Sequence, residues 1–281
     1  MKSPSMRYEI GISVVVLLVA LAFAAISYAE QGAYGQQSPS QQPSKPDASG
    51  QKGQPEVPKE VPKVDPKEQA DYKAFFEAQD PDKKVQLGQD FLQKYPMSQY
   101  ATSVYSQLVN AYFTKQDWNN LYDTADKAIA KNPDDVDVLT LVGWIIPHTY
   151  RSDDPDGEKK LDKAVTYEKH ALEVIPTLPK PATLTDEQFA AAKADRLAQA
   201  HSGLGLVYFR HGDYENSVKE LQQATKAAGA ADATDFYVLG FSLQKLNRNS
   251  EAADAYLKCG QIPGALQDRC KQSVTQAQSA K

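Results

Sequence analysis

The stretch Leu204-Gly205-Leu206-Val207-Tyr208-Phe209-Arg210-His211-Gly212-Asp213-Tyr214, followed by Ser217, Leu221 and Ala224, decides the fold. Its apolar residues recur at helical rather than alternating spacing, and His211-Gly212-Asp213 is a turn signal between two such runs. The stretch therefore predicts two helices joined by a tight turn. Outward from it the same pattern returns. Val109, Gly143, Gly205 and Gly240 each follow an aliphatic residue, namely Leu108, Val142, Leu204 and Leu239. Val109 and Gly143 lie 34 residues apart and Gly205 and Gly240 lie 35 apart. A fixed period of this length marks stacked helix pairs, each of which buries its apolar face only against a neighbour.

Residue by residue the units agree in phase. The unit after Gly205 supplies Leu239-Gly240, Leu243, Ala252, Tyr256 and Cys259. An earlier one supplies Tyr105, Leu108, Tyr112, Leu121, Ala125, Ala128 and Pro133. Between them lie Val142-Gly143 with Ala164, Ala171 and Pro176, and a weaker unit ends in Phe91 and Pro96. This pattern resembles the tetratricopeptide repeat. The resemblance implies an all-α solenoid of about five helix pairs with a C-terminal capping helix, in which small residues on one helix let the next approach closely. Two departures stand out. Extra residues occupy the segment from Thr149 to Lys159, where the following helix carries Glu168 in place of the usual aromatic. A second insert runs from Thr177 to about Leu197, within which Thr185 and Gln188 have capping-box spacing and start a long helix near Asp186.

The N-terminal part reads differently. Lys2 and Arg7 precede an uncharged run from Ile10 to Ala29, about the length that crosses a hydrocarbon core. Ser27-Tyr28-Ala29 is a small-x-small pattern suited to a signal peptidase. Residues 1–29 are thus either a cleaved signal peptide or a retained transmembrane anchor, and the basic flank places the rest of the chain outside the cytoplasm. The expected location is periplasmic or otherwise extracytoplasmic, with residues 10–29 holding the chain to the inner membrane if uncleaved. Residues 30–67 are rich in Gln, Pro, Ser, Lys and Gly and read as a linker stiffened by Pro55, Pro58, Pro62 and Pro66. Residues 68–281 form the repeat domain.

Charge and chemistry narrow the function. The net charge is −5, and the repeat domain carries no basic stripe, which argues against nucleic acid as partner. His148, His170, His201 and His211 lack metal-ligand spacing and read as solvated or turn residues. Asp153-Asp154-Pro155-Asp156-Gly157 has the flavour of a calcium loop, but the frame would run from Ser152 to Lys163, neither of them acidic. No nucleophile elbow or phosphate-binding glycine loop is present in the sequence, so no catalytic residue, metal or cofactor is assigned. Cys259 and Cys270 lie on either side of Pro263-Gly264, on neighbouring helices. In an oxidising compartment they form a disulfide; the other reading is two small buried thiols.

The resemblance implies that the first helix of each unit faces a concave surface that binds peptide or protein partners. Projection of the units puts Asn110, Phe113, Trp144, His148, Leu206, Phe209, Arg210, Tyr237, Phe241 and Lys245 on that face. Two states of these aromatics are open: exposed groove, or interior packing. The expected function is a non-enzymatic adaptor or scaffold of the bacterial envelope. A small-molecule or glycan carrier or sensor is the alternative, and a cell-wall enzyme the remaining one.

Overall fold

In the computed structural model, residues 65–227 and 232–279 are described. Among them eleven α-helices follow one another with no strand: α1 Pro66–Glu77, α2 Pro81–Lys94, α3 Ala101–Thr114, α4 Trp118–Lys131, α5 Val136–Thr149, α6 Gly157–Val174, α7 Asp186–Arg210, α8 Tyr214–Ala227, α9 Ala233–Lys245, α10 Asn249–Gln261 and α11 Gln267–Ser279. Each packs mainly on its sequence neighbours, and α5 also packs on α7. Short connections of this kind make antiparallel neighbours. The result is an α-solenoid of five helix pairs, α1/α2 through α9/α10, with α11 laid on α10 as a cap. The signal-peptide or anchor reading of residues 1–29 and most of the linker reading lie outside the described residues. No described helix is long and apolar enough to cross a membrane.

Aspartates start most of these helices, because a carboxylate at the N-cap accepts from the otherwise orphaned N–H groups of the first turn. Asp65 accepts from Lys67 N at 2.8 Å, and Pro66 follows at the first position, so helix begins two residues before the compositional boundary at 68. Asp80, Asp117, Asp135 and Asp213 cap α2, α4, α5 and α8 in the same way. Thr185 and Gln188 form the reciprocal capping box that their spacing predicts, and α7 runs 25 residues from it. Between α7 and α8 the chain turns through Gly212 at φ +75°, a left-handed conformation that glycine adopts without steric cost.

The repeat positions form the packing core. Leu121, Ala125 and Ala128 of α4, Ala164 and Ala171 of α6, Ser217, Leu221 and Ala224 of α8, and Ala252, Tyr256 and Cys259 of α10 are all buried. Small residues set the approach distance of the helices, Gly240 on a first helix and Gly88 on a second. A Cβ on Gly240 would stand 2.7 Å from the Tyr256 ring, and one on Gly88 would meet Leu108 and Phe75 at 2.8 Å. Full burial of one such Leu or Tyr contributes about 1.5–3 kcal/mol. The apolar core is not continuous. One cluster joins α1 to α6 and takes only Val207 from α7; a second joins α7 to α11 from Leu206 onward. A small third cluster, Val136, Leu139, Ala171, Ile175 and Ala200, lies at the start of α5 and the end of α6.

Candidate functional site

The first-helix face is built by α3, α5, α7 and α9, and the structure divides the ten projected residues into two groups. Phe113, Trp144, Leu206 and Tyr237 are interior: each exposes 7% or less of its surface. Of the two open states, these four positions take interior packing. Helical phase puts a side chain on a face, but adjacent helices then cover it, since successive pairs pack along that face. Asn110, His148, Phe209, Arg210, Phe241 and Lys245 remain at least partly accessible.

These six differ in what holds them. Asn110 donates from Nδ2 to the Ser106 carbonyl one turn earlier at 3.2 Å. Arg210 donates from Nε and Nη2 to the Pro147 carbonyl at 3.2 and 3.0 Å, and its guanidinium lies 5.6 Å from the Tyr150 ring centre. It therefore ties α7 to α5 rather than standing ready to steer a ligand. Phe209 and Phe241 meet edge to face with centroids 5.5 Å apart, and Tyr214 at the start of α8 lies 6.3 and 6.4 Å from them. The Nζ of Lys245 stands 5.2 Å from the Phe241 ring. Three half-exposed rings with a cation at their edge form the most aromatic patch on this face. Tyr214 is visible in the sequence only as a turn residue, so helix-face projection misses it.

His148 also departs from expectation. It is packed rather than solvated: its ring lies tilted against Trp144 with centroids 3.9 Å apart, and Nδ1 donates to the Trp144 carbonyl at 2.8 Å. That bond fixes the neutral tautomer with the proton on Nδ1, and Nε2 is buried without a partner. Burial holds the imidazole below its usual range; the Asp232 charge pulls the other way and Arg210 adds to the lowering. His201 is likewise largely buried, with Nδ1 2.7 Å from Glu220 Oε2. His170 and His211 sit nearer solvent beside Asp134 and Glu158. Among the described residues no group of three or more His, Cys, Asp or Glu side chains converges as metal ligands. Asp153 and Asp154, in the segment with calcium-loop flavour, pair instead with Arg151 and Lys160.

Buried polar links gather where α7 meets its neighbours. Arg196 Nε donates to Asp137 Oδ1 of α5 at 2.8 Å, and Ser202 Oγ donates to Asp235 Oδ1 of α9 at 2.7 Å. Against Gly143 of α5 and Gly203 of α7 lies Glu168 of α6, fully buried with neither carboxyl oxygen hydrogen-bonded. Its burial drives the carboxyl pKa well above the usual range, and no neighbouring charge contributes. Asp235 is held high for the same first reason, with Asp232 adding to it and the Ser202 bond opposing. At the opposite end, Cys259 and Cys270 are joined in a disulfide with Cα atoms 5.8 Å apart, stapling α11 to α10.

No protein-family model matches the sequence, and no curated protein is similar to it at a significant level. Solved structures of similar shape include a thermophilic TPR protein from Thermus thermophilus, at 18% identity and TM-score 0.46, covering 75% of this chain and 98% of that one. Yeast Tom70 aligns at 14% identity and TM-score 0.45 over 75% of this chain and 38% of its own. PilW, described as a widely conserved type IV pilus biogenesis factor, aligns at 13% identity and TM-score 0.39 over 77% and 100%. At these identities and scores the likeness adds nothing to the helix-pair architecture, which rests on this chain's own packing.

Proposed function

We propose that the chain is a non-enzymatic interaction module, an adaptor or scaffold that holds protein or peptide partners on its first-helix face. The observation that carries this reading is the patch of Phe209, Tyr214 and Phe241 with Lys245 at its edge. Half-exposed aromatic rings on rigid helices are the type of surface that anchors apolar side chains of a partner, and the cation favours a segment that also carries an acidic group. We place this module in a bacterial envelope, outside the cytoplasm. The support is Lys2 and Arg7 ahead of the apolar run from Ile10 to Ala29, with a Pro-rich tether after it.

The experiment is crosslinked affinity capture from membranes with the parent protein and with Phe209→Ala plus Phe241→Ala. Circular dichroism should show that the variant keeps its helical content. The expected result is one stoichiometric protein partner that the parent retains and the variant loses. A thermal shift with cell-wall glycan fragments and no protein partner would replace the adaptor with a carrier.

A further inference from the structure

A solenoid with a continuous apolar core bends little, because each pair is fastened to the next by the same buried stripe. Among the described residues the buried apolar side chains fall into three clusters, and the boundary between the two large ones runs along α7. The apolar core from α1 to α6 reaches α7 through Val207, and the core from α7 to α11 begins at Leu206. The remaining apolar bridge is the five-residue cluster around Ala200, Ile175 and Leu139. At the α5–α6–α7 junction stands Glu168, facing Gly143 as Leu221 faces Gly205 and Tyr256 faces Gly240. Gly143 of α5 and Gly203 of α7 make room for it. A Cβ on Gly143 would lie 2.5 Å from the Glu168 carboxyl carbon, and one on Gly203 would crowd the carboxyl still more closely. The two glycines thus form a cradle for a carboxyl group that has no hydrogen-bond partner.

From this geometry we infer that the α5–α6–α7 junction is a proton-sensitive hinge, closed when Glu168 carries its proton and loosened when it is ionised. An ionised carboxylate without a hydrogen-bond partner among the protein's own groups is a costly occupant of such a site. The closed junction is therefore compatible only with the neutral acid.

The other ionisable groups at the junction do not compensate a charge there. On α5, Asp137 is engaged by Arg196 and His148 by the Trp144 carbonyl. On α7, Arg196 also donates to the Ala192 carbonyl, His201 faces Glu220 of α8, and Arg210 is bound to the Pro147 carbonyl. On α6 itself, Lys163 contacts Asp126, Tyr167 donates to the same Asp126, and His170 meets Asp134, all directed to α4 and its following turn. The raised carboxyl pKa has burial as its cause and no charged neighbour.

The sign follows from proton counting. The closed junction retains a proton that an opened, hydrated Glu168 gives up at any pH above the ordinary carboxylate range, so closure weakens as pH rises. It is fully present below the ordinary carboxylate pKa of the opened state and is lost progressively as pH rises from there through the raised value of the closed state. The hinge divides the first-helix face, with Asn110 and His148 on one side and the Phe209–Phe241 patch on the other. Opening it would change the spacing of the surfaces a single partner touches.

The test is distance measurement by spin-label pairs in the full-length protein with its native disulfide intact. One pair, at Lys127→Cys on α4 and Gln223→Cys on α8, spans the hinge at exposed positions. Two control pairs, Asp90→Cys with Lys127→Cys and Gln223→Cys with Asp254→Cys, lie on either side of it. The second control also reports on Asp235, whose burial within α9 raises it too. Titration from mildly acidic to alkaline pH should shift and broaden the spanning distance while both control distances stay fixed. Glu168→Gln, which keeps the shape without the charge, should abolish the pH response. A spanning distance that never responds, a response that persists in Glu168→Gln, or controls that move with it would each overturn the hinge.

Discussion

Gly205 of α7 faces Leu221 of α8 so closely that a Cβ at position 205 would stand 2.5 Å from the Leu221 Cγ and 3.2 Å from its backbone nitrogen. The contact is a helix crossing set by a missing side chain. Leu221 is fully buried. Gly205→Leu therefore forces the two helices apart, and overpacking of this kind costs about 1–3 kcal/mol, occasionally more. Urea denaturation followed by circular dichroism should show the loss. A variant as stable as the parent would mean that α7 and α8 separate at no cost.

Asp137 and Arg196 supply a second prediction. The guanidinium side chain is 8% exposed and the carboxylate 24%, and they join α5 to α7 across 59 residues of sequence. Removing one partner leaves a buried charge uncompensated, which costs about 3–5 kcal/mol when both are fully buried. Partial exposure of Asp137 reduces this, so Asp137→Ala should destabilise the domain by about 2–3 kcal/mol. Replacing both residues with apolar ones of similar size should recover most of that loss. A double variant no more stable than Asp137→Ala would contradict the pairing.

How far the sequence carried the reading depends on the reach of each contact. Ala125, Ala128, Leu221 and Tyr256 were legible because their neighbours lie at fixed offsets within one repeat. Thr185 and Gln188 were legible because a capping box is local. The aromatic face was legible only in part: Trp144 and Leu206 have the right helical phase, yet the helix that covers them belongs to another unit. The link between Asp137 and Arg196 bridges an insert without a repeat counterpart, so no periodicity announces it. Glu168 was visible as a departure from the pattern, but its isolation follows only from Gly143 and Gly203 meeting on either side of it.

Asp135 gives a pH prediction. It caps α5, accepts from Val138 N at 3.2 Å and contacts Ser106. Burial, then the nearby Asp137, push its pKa up to about 6, against which the Ser106 and backbone hydrogen bonds pull. At Asp135 the folded protein then holds a proton that the unfolded chain has lost, so this residue's contribution to stability falls as pH rises from about 4 to about 6 and levels off beyond. Asn is as good a cap as Asp and does not ionise. Asp135→Asn should flatten this part of the stability curve, measured by urea midpoints at successive pH values. An equal fall in the variant would assign it to other groups.

The disulfide between Cys259 and Cys270 closes a short loop, with a sequence separation of 11. Loop entropy for that length stabilises by about 2–3 kcal/mol, and the gain falls on a terminal element with a single main neighbour. α11 packs almost wholly on α10, burying Cys270, Ser273 and Ala277, while the rest of its surface meets solvent. Reduction should therefore release the cap before anything else. Amide exchange after reduction should rise from about Tyr256 onward, with α3 to α6 still protected, because terminal units of a repeat stack open independently of the centre. Mass spectrometry on protein whose free thiols are blocked at lysis measures the bond directly. Two alkylated cysteines would remove the staple, and with it one reason to place the domain in an oxidising compartment. Uniform acceleration of exchange across all helices would show instead that the cap is needed for the whole solenoid to stay folded.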